Sequence, residues 1–118
     1  MTNPATTVAN ALTEARDLIA CYDRWLRGAQ ASNMHGLRVE PASDAAVRWS
    51  ADGAIRRATH NQPELRRQTM RAVSAATHEL HDVDIVALND VTAWQPETTH
   101  QSVIAAFDHA INKLRNQQ

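Results

Sequence analysis

The chain has 118 residues, which is enough for one domain with a single hydrophobic core. Its 21 alanines favour helix, and three glycines with five aromatic residues argue against a β-sandwich or barrel. The formal net charge of −1 excludes a strongly basic nucleic-acid-binding protein, and no apolar stretch approaches the roughly 18 residues of a membrane span. One cysteine, Cys21, allows no internal disulfide; with no signal-peptide pattern at the N-terminus, this predicts a cytoplasmic protein.

The first predicted helix starts near Asn3-Pro4 and ends near Arg27, where Gly28 would adopt the left-handed conformation of a C-cap. Its apolar stripe has the spacing of an amphipathic helix and consists of Val8, Leu12, Ala15, Ile19, Tyr22 and Leu26. Residues 29–42 are predicted to form a loop, because Asn33, Gly36 and Pro41 interrupt the pattern.

A second helix is predicted to begin with Ser43 as its N-cap and Asp44 in its first turn. The expected buried stripe is Val47, Ala51, Ala54, Ile55 and Ala58. A third helix should follow Asn61, which forms a capping-box pattern with Glu64 and allows Pro63 in the first turn. Its inner face would be Leu65, Thr69, Val73, Ala76 and Leu80.

Residues 82–97 suit either a short strand or a single buried helical turn. We favour a short helix and loop, because an isolated strand would have no partner. The last helix is predicted to start at Thr98, which forms a capping box with Gln101. Its stripe is Val103, Ile104, Phe107, Ile111 and Leu114. The sequence thus predicts one all-α domain over residues 1–118, with about four helices and an irregular or short-helical connection before the last.

Charge is unevenly distributed along the chain. Residues 38–71 contain seven arginines and four acidic residues, whereas residues 72–112 contain six acidic residues and no lysine or arginine. Arg66, Arg67 and Arg71 lie in the first half of the third helix, which opposes the preference of the helix dipole. Either a partner compensates this cluster, or the acidic segment folds back onto it within the domain.

Specific catalytic motifs are absent, which favours a non-enzymatic protein without a cofactor. His78 and His81, three residues apart, are weak candidates for metal ligands, and a solvated helix end is the favoured interpretation. Trp49 and Trp94 lie off the apolar stripes. They either pack beneath loops or form an aromatic patch that contacts a partner.

Two stretches resemble a known family. Residues 46–55 contain an RW-x-x-x-GAI-like pattern, with Ser50 where that family has cysteine. Residues 87–111 contain an LND…TH…V…D-x-AI-like pattern that includes Asn89, Asp90 and His100. Both are similar to a family of small uncharacterised bacterial and phage proteins, a domain of unknown function. The resemblance singles out Trp49, Gly53, Asn89, Asp90 and His100 as residues that would converge in the fold.

Those residues have two interpretations. Asn89 and Asp90 can cap a turn, while His100 shares a helix face with Ile104 and Phe107; this structural interpretation is favoured. The alternative is a polar pocket in which Asp90 orients His100.

The predicted function is that of a small non-catalytic helical protein that binds protein, self-association included. Candidate binding residues are Trp49, Asn89, Asp90, Trp94, His100, Arg66, Arg67 and Arg71. One alternative is a ligand- or metal-binding protein or enzyme that uses Asp90 and His100, or His78 and His81. A further alternative is a DNA-associated regulator that acts through the arginine-rich third helix, although the acidic C-terminal third disfavours nucleic acid.

Overall fold

A computed structural model describes residues 4–117, with side chains from residue 7 onward, as a mostly helical fold with one small sheet. The helices are α1 (Pro4–Ile19), α2 (Ala51–Ala58), α3 (Pro63–His81), α4 (Ile85–Asn89) and α5 (Pro96–Asn116). The strands are β1 (Ala31–Ser32) and β2 (Arg48–Trp49), and a 3₁₀ turn spans Tyr22–Arg24. None of the helices within residues 4–117 is long and apolar enough to cross a membrane. The helical fold class is confirmed, with a two-stranded sheet added to it.

One hydrophobic core joins all five helices, with α1 packed on α2, α3 and α5. Its fully buried large side chains include Leu12, Ile19, Ile55, Val73, Ile85, Leu88, Val103 and Phe107. Where the helical periodicity of the sequence was interpreted correctly, it predicted that these side chains face the core. The short helix before α5 is confirmed: Asp84 caps α4 by accepting a hydrogen bond from Ala87 N at 2.8 Å.

The predicted extension of the first helix to Arg27 is wrong, because α1 ends at Ile19. After the 3₁₀ turn, the chain becomes extended at Trp25, which forms a parallel bridge with Trp49. Leu26 N donates to Trp49 O at 3.0 Å. A helix through Leu26 would forfeit this pairing and keep Trp25 from its buried position. Gly28 does have a positive φ of 84°, in a loop instead of at a helix end.

The predicted start of the second helix at Ser43 is also wrong. Residues 48–49 form β2, paired antiparallel with β1 so that Ala31 lies opposite Trp49 and Ser32 opposite Arg48. Ser50 is the true N-cap of α2, and its Oγ accepts from Gly53 N at 3.0 Å. Val47, expected in the buried stripe, is 40% exposed. Strands of two residues carry no alternation that a sequence pattern can reveal.

Two other helix starts are shifted by one or two residues. Helix α3 has Gln62 as its N-cap, without a side-chain hydrogen bond, and Asn61 precedes it with a positive φ of 63°. Helix α5 begins at Pro96, two residues before Thr98. In both helices proline occupies the first position, where its fixed φ suits the helix and its missing N–H is not needed.

Gly53 lets the first turn of α2 lie directly against the backbone of residue 30. A Cβ at Gly53 would lie 1.8 Å from Gln30 O and 2.7 Å from Gln30 C. The contact is fixed by a second link, since Ser50 N donates to Gln30 O at 3.1 Å. Any side chain at residue 53 would therefore separate α2 from the strand segment.

We predict that Gly53→Ala lowers the free energy of unfolding by about 3 kcal/mol or more, because backbone atoms cannot yield to the added methyl group. Urea unfolding followed by far-UV circular dichroism measures this loss. Gly36→Ala is the matched control, since residue 36 has a positive φ of 78° but an added Cβ there would meet no other atom within 4 Å. That control should lose only about 1–2 kcal/mol. Equal losses in the two variants would contradict the steric explanation.

Candidate functional site

Asn89, the last residue of α4, is the centre of a buried polar junction. Its Oδ1 accepts from Trp25 Nε1 at 2.7 Å and from Ala51 N at 3.0 Å. Its Nδ2 donates to Leu26 O at 3.1 Å and to Asp90 Oδ1 at 3.2 Å. One side chain, only 2% exposed, thus joins α4, the start of α2 and the segment after the 3₁₀ turn.

This set of bonds requires an amide. A carboxamide offers an acceptor oxygen with two lone pairs and a nitrogen with two donors, and all four are used here. An aspartate at residue 89 would have no donor for Leu26 O and would place a charge in the core. Since its capacity is filled by protein groups, Asn89 acts as a structural residue.

Ser50, at the position where the resembled family has cysteine, is a helix cap. Its hydroxyl bonds Gly53 N, while the neighbouring Ala51 N bonds Asn89. No histidine contacts this hydroxyl among the hydrogen bonds of the described residues, so Ser50 lacks the adjacent base that nucleophilic catalysis needs.

Asp90 and His100 have separate partners. Asp90 is exposed, and its Oδ1 accepts from Gly28 N at 3.2 Å as well as from Asn89. His100 is 8% exposed, and its Nε2 lies 2.7 Å from Ile19 O, the last carbonyl of α1. The ring of His100 packs against Trp25 and Tyr22, with centroids 5.5 Å away in each case. The structure therefore forms no Asp90–His100 hydrogen bond.

The two tryptophans singled out by the sequence lie in different settings. Trp49 is buried beneath the loop before β2, where its Nε1 donates to Pro41 O at 3.0 Å and Arg57 stacks on its ring. Trp94 is exposed in the connection before α5, with its ring 5.7 Å from that of His81. Only Trp94 of this pair presents substantial surface to a partner.

The arginine cluster lies in the first half of α3. Arg67 pairs with Glu64 on the same helix, whereas Arg66 and Arg71 form no ion pair with a described residue. Two acidic residues of the segment 72–112 have other partners: Glu79 bonds Lys113 and His109 on α5, and Asp108 bonds Arg16 on α1. Within residues 7–117, no ion pair connects the acidic segment to the Arg66–Arg71 cluster.

His78 and His81 are exposed near the end of α3. In the part of the chain that the structure describes, no group of three or more histidine, cysteine, aspartate or glutamate residues is arranged to hold a metal ion. The contact of His81 with Trp94 gives that histidine a packing role.

Trp25 is a central residue of the site that the sequence pattern did not reveal. This side chain bonds Asn89 and contacts Tyr22, His100 and Arg27, so it connects the junction to the surface. No sequence signal marked it, because the helical spacing of Tyr22 and Leu26 placed Trp25 on the outer side of a longer helix.

These features define a small helical protein whose two signature stretches meet at a buried, internally satisfied junction. The model of a family described as "Family of unknown function (DUF6197)" matches residues 3–113, and the chain belongs to that family. No curated protein and no solved structure matches the chain.

We predict that Asn89→Ala lowers the free energy of unfolding by about 3 kcal/mol or more, because Trp25 Nε1, Ala51 N and Leu26 O would lose their partners in the core. Asp90→Ala should cost about 1 kcal/mol or less, since water can replace an exposed carboxylate. Urea titrations of both variants measure the difference. Comparable stability of Asn89→Ala and the parent protein would contradict the central role of Asn89.

We also predict that the neutral imidazole of His100 carries its proton on Nε2, because the carbonyl oxygen of Ile19 only accepts. A long-range proton–nitrogen correlation NMR spectrum of the imidazole ring distinguishes the two neutral tautomers. A proton on Nδ1 in the neutral ring would show that the Ile19–His100 bond is absent in solution.

Proposed function

We propose that this protein acts without catalysis, by binding another protein, and that its partner is a second copy of itself. The supporting observation is the outer face of α3, which carries unpaired positive charge towards one end and unpaired negative charge at the other. Arg71 and Asp82, eleven residues apart, make no ion pair with any described residue.

The α3 face consists of exposed residues at helical spacing: Arg67, Arg71, Ala75, His78 and Asp82. Successive members are four, four, three and four residues apart, so they line one side of the helix. Ala75 is the smallest of them and lies at the middle. A small residue at that point permits close approach of another helix.

Two antiparallel copies of α3, related by a two-fold axis near Ala75, would bring opposite charges together. Arg67, which pairs with Glu64 on its own helix, would gain the partner's Asp82 as a second carboxylate. Arg71 would lie beside the partner's His78 and the partner's Glu79. A hydrogen bond from Lys113, and to a lesser extent one from His109, lowers the pKa of the Glu79 carboxyl below its ordinary value. This residue is therefore charged at neutral pH. Each pair would occur twice across the axis.

The expected dimer is weak. Exposed ion pairs contribute about 0–1 kcal/mol each and are screened by salt. The face has little apolar surface to add to this. Association should therefore occur at about millimolar concentration and decrease as salt is added.

The proposed setting is the bacterial cytoplasm. Its support is the resemblance to bacterial and phage sequences together with the exposed, unpaired thiol of Cys21, which a reducing compartment would preserve.

Reversal of the charge on either member of the Arg67–Asp82 pair tests the antiparallel arrangement. We predict that Arg67→Glu and Asp82→Lys each weaken self-association by about tenfold, because each change places like charges opposite one another at two points. An equimolar mixture of the two variants should recover association near that of the parent protein, since both pairs become attractive again. Sedimentation velocity and native mass spectrometry at low and high salt measure the two effects.

Arg38→Glu is the matched control, because it makes the same charge change on the loop beside β1. Its association should stay close to that of the parent protein, and circular dichroism confirms that each variant is folded. A parent protein that remains monomeric at millimolar concentration and low salt would refute self-association. Failure of the mixture to recover association would refute the antiparallel register.

A further inference from the structure

We propose that the cleft between the 3₁₀ turn and the small sheet binds a nucleoside monophosphate, with the base against Tyr22 and the phosphate at Arg27 and Arg48. This cleft, which we call the arginine–tyrosine cleft, has a volume of about 440 Å³. That volume falls within the range of small-molecule sites. Its lining includes Tyr22, Trp25, Arg27, Ser32 and Arg48.

The two arginines of the cleft are held in place without being neutralised. Arg27 Nη1 donates to Val91 O at 2.6 Å, and its guanidinium carbon lies 5.7 Å from the centre of the Trp25 ring. Arg48 Nε donates to Asp23 O at 3.0 Å. Neither forms an ion pair with a described carboxylate, so each keeps its charge and its other N–H donors for an anion. A guanidinium fixed in this way suits bidentate binding of phosphate.

Ser32 adds a hydroxyl to the lining of the cleft. It is only 4% exposed, and it lies between Arg38 and Arg48 in the sheet, bridged to the first and paired with the second. Its hydroxyl makes no hydrogen bond with a described residue, although its backbone carbonyl accepts from Val47 N. No buried side-chain oxygen or nitrogen of the described residues lacks a partner, so this hydroxyl is accessible from the cleft and is available to a ligand oxygen.

Tyr22 supplies an aromatic ring to the lining of the cleft. Its ring packs against Trp25, with centroids 6.1 Å apart, and meets the edge of the His100 ring at an interplanar angle of 75°. Even so, 41% of the residue remains exposed. A supported but exposed aromatic ring is the usual platform for stacking a nucleobase.

The lining also contains an acidic residue, Asp23, which limits the kinds of ligand that the cleft can bind. A carboxylate repels a bare polyanion but accepts hydrogen bonds from sugar hydroxyls. A ligand with a planar ring, hydroxyl groups and one phosphate satisfies all of these groups together. This inference is independent of self-association, because the α3 face shares no residue with the cleft.

Calorimetric titration of the full chain with AMP, GMP, CMP and UMP tests the proposal, with adenosine and inorganic phosphate as partial ligands. At least one nucleotide should bind saturably with a submillimolar Kd, about tenfold or more tighter than either partial ligand. Amide NMR shifts should be confined to residues around the cleft. Tyr22→Ala, Arg27→Gln and Arg48→Gln should each weaken binding by about tenfold or more.

Tyr22→Phe keeps the ring and should recover most of the affinity that Tyr22→Ala loses. Arg66→Gln removes an equally unpaired arginine outside the cleft and should leave binding unchanged. Circular dichroism checks the fold of each variant, and Tyr22, being half exposed, can be changed without a cavity in the core. The proposal is overturned if no nucleotide binds saturably at millimolar concentration, if phosphate alone binds as tightly, or if the folded cleft variants bind like the parent protein.

Discussion

The hydrogen bonds of the buried Asn89 amide are the interaction on which the rest of this structure depends. Helix α4 has five residues, too few to be stable by itself, and its position is fixed by the Asp84 cap and by Asn89 at its other end. Through Trp25 Nε1, Ala51 N and Leu26 O, the same amide ties two other segments to that helix. Because burying an unpaired amide is costly, the three segments must be assembled together or not at all.

The long stretch between α1 and α2 has little regular structure, and side chains bonded to backbone carbonyls hold it in place. Arg57 donates to Pro41 O and Ser43 O, and Trp49 donates to Pro41 O. Arg48 and Arg27 bond Asp23 O and Val91 O in the same manner. Backbone carbonyl groups in these loops, which have no hydrogen-bond donor from a helix or sheet, thus accept hydrogen bonds from side chains instead. This use of arginine also explains why several guanidinium groups near the sheet retain an uncompensated charge.

Periodicity in the sequence predicted the helices where burial on one side determines the structure. The stripes of α1, α3 and α5 are correct at residues such as Leu12, Val73 and Phe107, whose side chains point to the same core. Leu80, expected on the inner face of α3, is the exception: it lies in the last turn of that helix and is 44% exposed. The errors fall at Tyr22–Leu26 and Ser43–Trp49, where apolar spacing also fits a helix. There, backbone pairing between residues distant in sequence, Leu26 with Trp49 and Ser32 with Val47, outweighs local preference. Local patterns contain no information on such partners, and the role of Trp25 was therefore missed. Asn89 was found only through the family resemblance.

The junction and the arginine–tyrosine cleft are two sides of one assembly. Trp25 donates a hydrogen bond to Asn89 on its inner side. Towards the surface, the guanidinium of Arg27 stacks on its ring, and the ring also contacts Tyr22. His100, anchored to Ile19 O, supports the ring of Tyr22 from another direction. The signature residues Asn89 and His100 thus position the groups that line the cleft without having to contact a ligand themselves. A change at Asn89 would disturb the fold and the cleft together, whereas a change at Tyr22 would alter the cleft alone. Variants at exposed residues such as Tyr22 therefore separate the proposed binding from stability.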